Sequence, residues 1–324
     1  MTFERGILLS NKSSKLGLIV PISLGSTQRM QSILELNKTS SGECWSSFYA
    51  ERPSKLFNGA EVLLNITILD RVKLNNSCIK HATGLIKWQA EFRNALFPTL
   101  YYVKYLDPIR DYLIPKFSQI IELEISNKVF KSKTELQTLL VSTSNHKIYY
   151  RIGGGRYWKI FTTFQPKFSV GGVQTASSRE SNLFFKSAND LDAGLISLCS
   201  SIFFWYFQVT TNGRDLNPFD LKKFPLPYSL ISQDLRIKTL QKLLMVDYKV
   251  HKIEKEKISS QTGHIIYEEF YPRNSKPIID QIDTALAQHY GFTEEELDFI
   301  INYDIKYRMG KALYGEADNE EEDE

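Results

Sequence analysis

The chain has little of what usually announces a chemistry. Its three cysteines, Cys44, Cys78 and Cys199, are far apart and in no metal-ligand spacing. They exclude a disulfide framework and point to a reducing compartment, the cytoplasm. Five histidines provide no H-x3-H pair, so no zinc site is expected. Ser, Cys and His show no nucleophile elbow or triad signature. The N-terminal MTFERGILLSNKSSK lacks the apolar core and small-residue cleavage site of a signal peptide. The most apolar run, 195–209, is too short to span a bilayer and holds Ser and Gln, so a soluble protein is expected. Gly153-Gly154-Gly155 precedes Arg-Tyr-Trp instead of Lys-Ser/Thr and a helix start, which argues against a P-loop. Asp304-Ile305-Lys306 has the D-x-K form of a metal-dependent nuclease. It falls in a capped helix without a partner carboxylate on a strand, so a surface ion pair is expected. No internal repeat is found.

What is present is a basic body. The net charge of +3 hides seven carboxylates between Glu316 and Glu324, which leave 30 of the 37 acidic residues against 40 basic ones elsewhere, a body near +10. Such a body suits a polyanionic partner, and the acidic tail is expected to be disordered. A length of 324 residues allows two or three domains.

The most informative stretch runs from Tyr149 to Pro227. Rings alternate with Arg, Lys and Gly in YYRIGGGRYWKIFTTFQPKF, and a Gly-Arg-Asp-Leu-Asn turn follows an apolar run. A nucleic-acid-binding surface needs that mixture: cations for phosphates, flat rings for bases and sugars, glycines for close approach. A β-rich core edged with solvated charge has the same composition.

Along the chain, KLGLIVPISL (15–24) predicts a strand buried on both faces. Ser26 predicts a helix cap, with the helix running through Leu36. Strands are expected at about Cys44–Ala50 and Val62–Leu69. Three strands and one helix leave an uncovered edge and face, so something must pair with them. Residues 73–140 read as mixed and mainly helical, with GLIKWQAEFRNALFP at helical spacing. Residues 146–186 read as β-rich. A long helix is expected at about Gln233–Ser259, then one from Pro277 ended by Gly291. Thr293 and Glu296 form a capping box flanked by Phe292 and Leu297 as a staple.

Four stretches carry a family resemblance: KLGLIVPISL with Gln28-Arg29; ERPSKLFNGAEVLLNITIL; the block RYWKIF to FFWYFQVT, GRDLNP and DLKKFPLP; and HYGFTEEELDFIINYDIKYRMG. Together they resemble the C-terminal portion of large γ-class adenine-N6 DNA methyltransferases of restriction–modification systems, closest to the type IIG kind. The resemblance implies an α/β plus α+β fold. Residues 1–72 would be the last strands of a Rossmann-like methyltransferase sheet and 73–134 a helical connector. Residues 135–230 would form a mixed α/β target-recognition domain and 231–310 a helical C-terminal region, with 311–324 the disordered acidic tail. Such enzymes flip an adenine from the duplex while S-adenosylmethionine donates the methyl group. Phe57, which matches the aromatic before the last strand, would pack on the flipped base.

The sequence departs from the family in two places. It has neither the glycine-rich turn for S-adenosylmethionine nor the Asn-Pro-Pro-Tyr/Phe catalytic turn; Asn217-Pro218-Phe219 lacks the second proline. Both are expected upstream of Met1, on a separately encoded methyltransferase half. The chain alone is then expected neither to hold S-adenosylmethionine nor to transfer methyl groups, and no catalytic or metal residue is assigned to it. The expected partner is double-stranded DNA. A DNA-specificity subunit acting beside a separate catalytic chain, or a non-functional remnant, would share these features.

Within the recognition block, Lys147, Arg151, Arg156, Lys159, Lys167 and Arg179 are candidates for phosphate contacts. Arg214 and Asn217 are candidates for base reading, and Asp215 either joins them or holds Arg214 in place. Tyr157 and Trp158 alternate on an expected strand, one toward the core and one toward DNA.

Overall fold

The computed structural model describes residues 2–72, 78–106, 109–154, 157–260 and 262–310. Arg156 and the acidic tail lie outside the described residues. The chain forms two units, Met1–Asn127 with Phe207–Gly213, and Lys128–Tyr206 with Arg214–Glu324.

In the first unit, helix α1 (Thr2–Leu9) buries Phe3 and Ile7, four residues apart on one face. Strand β1 (Lys15–Pro21) follows, then 3-10 turns and helix α2 (Gln31–Ser40). Strands β2 (Glu43–Tyr49), β3 (Leu64–Asp70), β4 (Ile79–Ile86) and β5 (Val103–Tyr105) complete a sheet of order β1-β3-β2-β4-β5. β3 is antiparallel to both β1 and β2, which are therefore parallel to each other and linked through α2. β4 joins β2 in parallel.

Three expectations change here. Ser26 ends a 3-10 turn and caps no helix; α2 starts at Gln31 and runs to Ser40. β1 lies at the sheet edge with every second residue exposed, so its apolar run does not mark a strand buried on both faces. The described residues between 78 and 134 are mixed, with two strands beside one helix, and do not form a helical connector. GLI ends β4, and AEFRNA makes only a 3-10 turn before Val103–Tyr105 adds an edge strand. The physical reason is the open edge: β4 satisfies the hydrogen-bonding groups of β2, which a helix could not do. Residues 88–100 then cover one sheet face, where Tyr49, Leu56, Leu64, Trp88 and Leu96 form one core cluster. Phe48, next to Tyr49 in β2, points to the opposite face and packs with Ile22, Leu63, Ala82 and Tyr105.

In the second unit, helix α3 (Ile121–Phe130) is shared across the unit boundary in sequence. Short strands β6 (Leu140–Val141), β7 (Lys147–Arg151), β8 (Phe161–Thr162), β9 (Phe168–Val170), β10 (Val173–Gln174) and β11 (Glu180–Phe185) follow. Gly171 and Gly172, at φ 57° and 81°, make the two-residue turn between β9 and β10 that side-chain-bearing residues rarely adopt. Helices α4 (Ala188–Leu198) and α5 (Ser201–Thr210) carry the apolar run and bend by 67° between them. Most of their residues are buried, and no single helix among the described residues is long and apolar enough to cross a membrane. A β-carbon on Gly194 would lie 2.3 Å from the Phe185 ring, so glycine lets α4 sit directly on β11.

Helices α6 (Pro218–Lys222), α7 (Tyr228–Ile231) and α8 (Leu235–His251) come next. α8 stops eight residues short of the expected end. Residues Ile253–Ser259 are strand β12, paired with β13 (Gly263–Glu269), and together with β9 and β10 they form a sheet of order β10-β9-β13-β12. The region after 231 is therefore mixed, not helical. A second sheet has order β6-β11-β7-β8. Helices α9 (Lys276–Tyr290), α10 (Glu294–Ile301) and α11 (Ile305–Met309) close the unit. Gly291 ends α9 at φ 73°, and the Thr293–Glu296 capping box has both of its hydrogen bonds. Asp304 is not inside a helix: at φ 54° it begins α11. The whole chain is a mixed α/β protein.

Candidate nucleic-acid interface

The end of β7, the start of β11 and residues 214–217 meet around the turn 152–154. The Ile152 N–H donates to the Arg179 carbonyl at 2.9 Å, and the Leu216 N–H donates to the Ile152 carbonyl at 2.7 Å. Arg151 stands opposite Glu180 in the β7–β11 register, so Arg179 lies one step beyond. Gly154 holds φ 86°. A β-carbon there would approach the Arg151 guanidinium carbon at 4.0 Å, and one on Gly153 would meet Arg179 Nη1 at 3.9 Å and Asp215 Oδ1 at 3.6 Å. Two arginines thus flank a bare backbone turn, with a carboxylate at its side.

Arg151 and Arg179 are exposed. Among the described residues neither guanidinium has a hydrogen-bond or ion-pair partner. Desolvation by the surrounding loops lowers the Arg151 pKa, the Arg179 charge lowers it further, and Glu269 and Tyr267 partly oppose this. Neither guanidinium is hydrogen-bonded to the nearby carboxylates Asp215 and Glu269, and exposed guanidinium forks match phosphate geometry.

Lys159 differs from the expectation of an exposed phosphate contact. It is buried, with Nζ 3.4 Å from the carbonyl oxygens of Gly154 and Arg214. Burial pushes its pKa down to about 8, against the opposing attraction of Asp215. It braces the turn from below and adds positive charge there. Arg214 is exposed beside it, while the Asn217 amide donates to the Asp220 carboxylate at 3.1 Å and the Asp215 carbonyl at 3.3 Å. Asn217 thus starts α6 with its amide engaged.

The other expected contacts scatter. Lys167 is exposed but ion-paired with Glu254. Half-buried Lys147 lies over the Tyr149 ring at 4.9 Å. Tyr157 and Trp158 are not on a strand; both are half-buried against α11. Tyr157 stacks on Tyr307 at 5.8 Å, and Arg308 lies 4.0 Å from the Trp158 ring centre. Nothing in the sequence singled out Arg308, which is buried and donates to Ser201 Oγ at 3.0 Å. In the first unit, Phe57 is 44% exposed in the loop between β2 and β3, as a ring available for stacking must be.

Neither the turn after β1 nor the cleft beside β2 and β4 has room for S-adenosylmethionine. The turn after β1 has one glycine, Gly25, whose β-carbon position lies 3.0 Å from Ile114 Cβ, so no cradle opens there. The cleft lined by Asn37, Cys44, Lys80, His81 and Tyr105 offers about 50 Å³, far below the size of a nucleoside site. Among the described residues no group of three His, Cys, Asp or Glu could hold a metal ion. No protein-family model matches the chain, and no curated protein matches it.

Proposed function

We propose that the second unit is the DNA target-recognition part of an adenine-N6 methyltransferase of a restriction–modification system, and that the first unit is a portion of its methyltransferase sheet. The observation that carries this reading is the pair of unpartnered guanidiniums of Arg151 and Arg179 around the Gly153–Gly154 turn. Phosphate contacts of this kind fix register on a duplex, and Arg214 beside the turn would read a base edge. The first unit supports the reading through its parallel β1 and β2, linked by α2, and through exposed Phe57 on the loop before β3. The outer edge of β1 bears no strand among the described residues, and there the rest of the sheet would add.

In this reading S-adenosylmethionine and the catalytic turn are held by residues other than these, and the chain contributes DNA positioning and support for the flipped adenine. The test pairs two assays on the purified chain: anisotropy with a mixed-sequence duplex, and methyl transfer from labelled cofactor. Salt-sensitive DNA binding without methyl transfer is expected. Absence of binding at low salt, or methyl transfer by the chain alone, would contradict the proposal.

A further inference from the structure

A second site lies in the first unit and is independent of DNA. Cys44 is the second residue of β2, and Cys78 immediately precedes β4. These strands run in parallel with Glu43 opposite Ile79, which brings two cysteines 34 positions apart to one end of the sheet. Their sulfur atoms are 3.2 Å apart. The Cys44 Sγ also faces the Asn37 carbonyl at 3.9 Å, and the Cys78 Sγ faces the Ile79 carbonyl at 3.6 Å. Both are thiols, and no third ligand stands with them to make a metal site among the described residues.

We propose that Cys44 and Cys78 form a site of reversible oxidative modification, closed to an intrachain disulfide by a peroxide-class oxidant. A sulfur–sulfur bond is about 2.05 Å long, so closure requires a movement of roughly 1 Å, within the reach of side-chain rotation. Half-buried Cys44 lines the open cleft, whereas Cys78 is 5% exposed, so the oxidant meets Cys44 first. The Cys44 sulfur attacks one peroxide oxygen, giving a sulfenic acid and water. The Cys78 sulfur then attacks the oxidised sulfur, and the hydroxyl leaves with the Cys78 proton as a second water. Two thiols are oxidised and one peroxide is reduced. The hydrogen bond with Cys78, and burial after it, raise the Cys44 pKa, so the attack on peroxide draws on a small thiolate fraction and quickens as pH rises. Cys199, buried in the second unit, is an internal reference.

The full chain is treated with hydrogen peroxide, quenched, alkylated under denaturing conditions and mapped by mass spectrometry. The expected result is a Cys44–Cys78 crosslinked peptide lacking two hydrogens, with Cys199 still alkylated and both thiols recovered by dithiothreitol. Cys44→Ser should abolish the crosslink and leave Cys78 alkylated. Unchanged alkylation of Cys44 and Cys78, oxidation of Cys44 to the sulfinic acid without a crosslink, or a crosslink through Cys199 would overturn the proposal. The wild-type map decides the outcome even if the variant folds poorly.

Discussion

The Arg308 guanidinium lies 4.0 Å from the centre of the Trp158 ring, and the Trp158 indole N–H donates back to the Arg308 carbonyl at 2.8 Å. The aromatic–basic block thus spends part of its mixture on internal packing. Trp158→Ala should lower the stability of the second unit by roughly 2–3 kcal/mol through lost ring contacts. Trp158→Phe keeps a ring and should cost about 1 kcal/mol, the value of the hydrogen bond. Urea unfolding followed by circular dichroism checks both, and equal losses would contradict the cation–ring account.

Asp283 predicts a pH dependence. It is fully buried, and desolvation raises its pKa from 3.8 to about 6, partly opposed by the Ser201 contacts and the Arg308 charge. A carboxyl with a raised folded-state pKa favours the folded protein in its protonated form. That stabilisation is complete below 3.8 and lost as pH rises through about 6, a difference on the order of 3 kcal/mol. Relative to Asp283→Asn, the wild-type second unit should therefore gain stability between pH 7.5 and 5. Parallel melting curves for the two proteins across that range would contradict this.

Lys159 links the proposed DNA site to protons. Its pKa of about 8 should rise when a phosphate docks at the turn above it, so binding takes up a proton near and above pH 8. DNA affinity should fall between pH 7.5 and 9 more steeply in the wild type than in Lys159→Met. Anisotropy titrations at matched ionic strength measure the difference.

Phe57 carries the base-stacking assignment. Because the ring is exposed, Phe57→Ala should change stability by less than about 0.5 kcal/mol. Loss of a stacking face should weaken binding of an unpaired adenine analogue by about 1–3 kcal/mol, read as 2-aminopurine fluorescence in an oligonucleotide. Unchanged fluorescence would remove Phe57 from the site.

Local signals were legible where the chain's own chemistry sets the structure. Thr293 and Glu296 satisfy each other's end of α10, and Gly291 supplies the left-handed stop of α9, so both could be read from a few residues. Long-range pairing was not legible. GLIKWQAEFRNALFP has helical spacing, yet its first residues belong to β4 because the edge of β2 requires a strand. Between His251 and Ile253 no Gly or Pro marks the change from α8 to β12, which depends on pairing with β13. The candidate site was legible as residue types. Arg151, Arg179, Lys159, Arg214 and Asp215 were all singled out, but only the fold shows that Lys159 is buried and that Lys167 is neutralised by Glu254. Cys44 and Cys78 gave no spacing signal, since parallel strands bring them together.

The most direct test of the account is the salt dependence of duplex binding for wild type and Arg151→Ala/Arg179→Ala, with Lys167→Ala as the comparison. Each phosphate contact contributes close to one unit to the slope of log K against log salt concentration. The double variant should lose about two units of slope and bind more weakly, whereas Lys167→Ala should stay close to wild type. Equal slopes for the wild type and the double variant would contradict it.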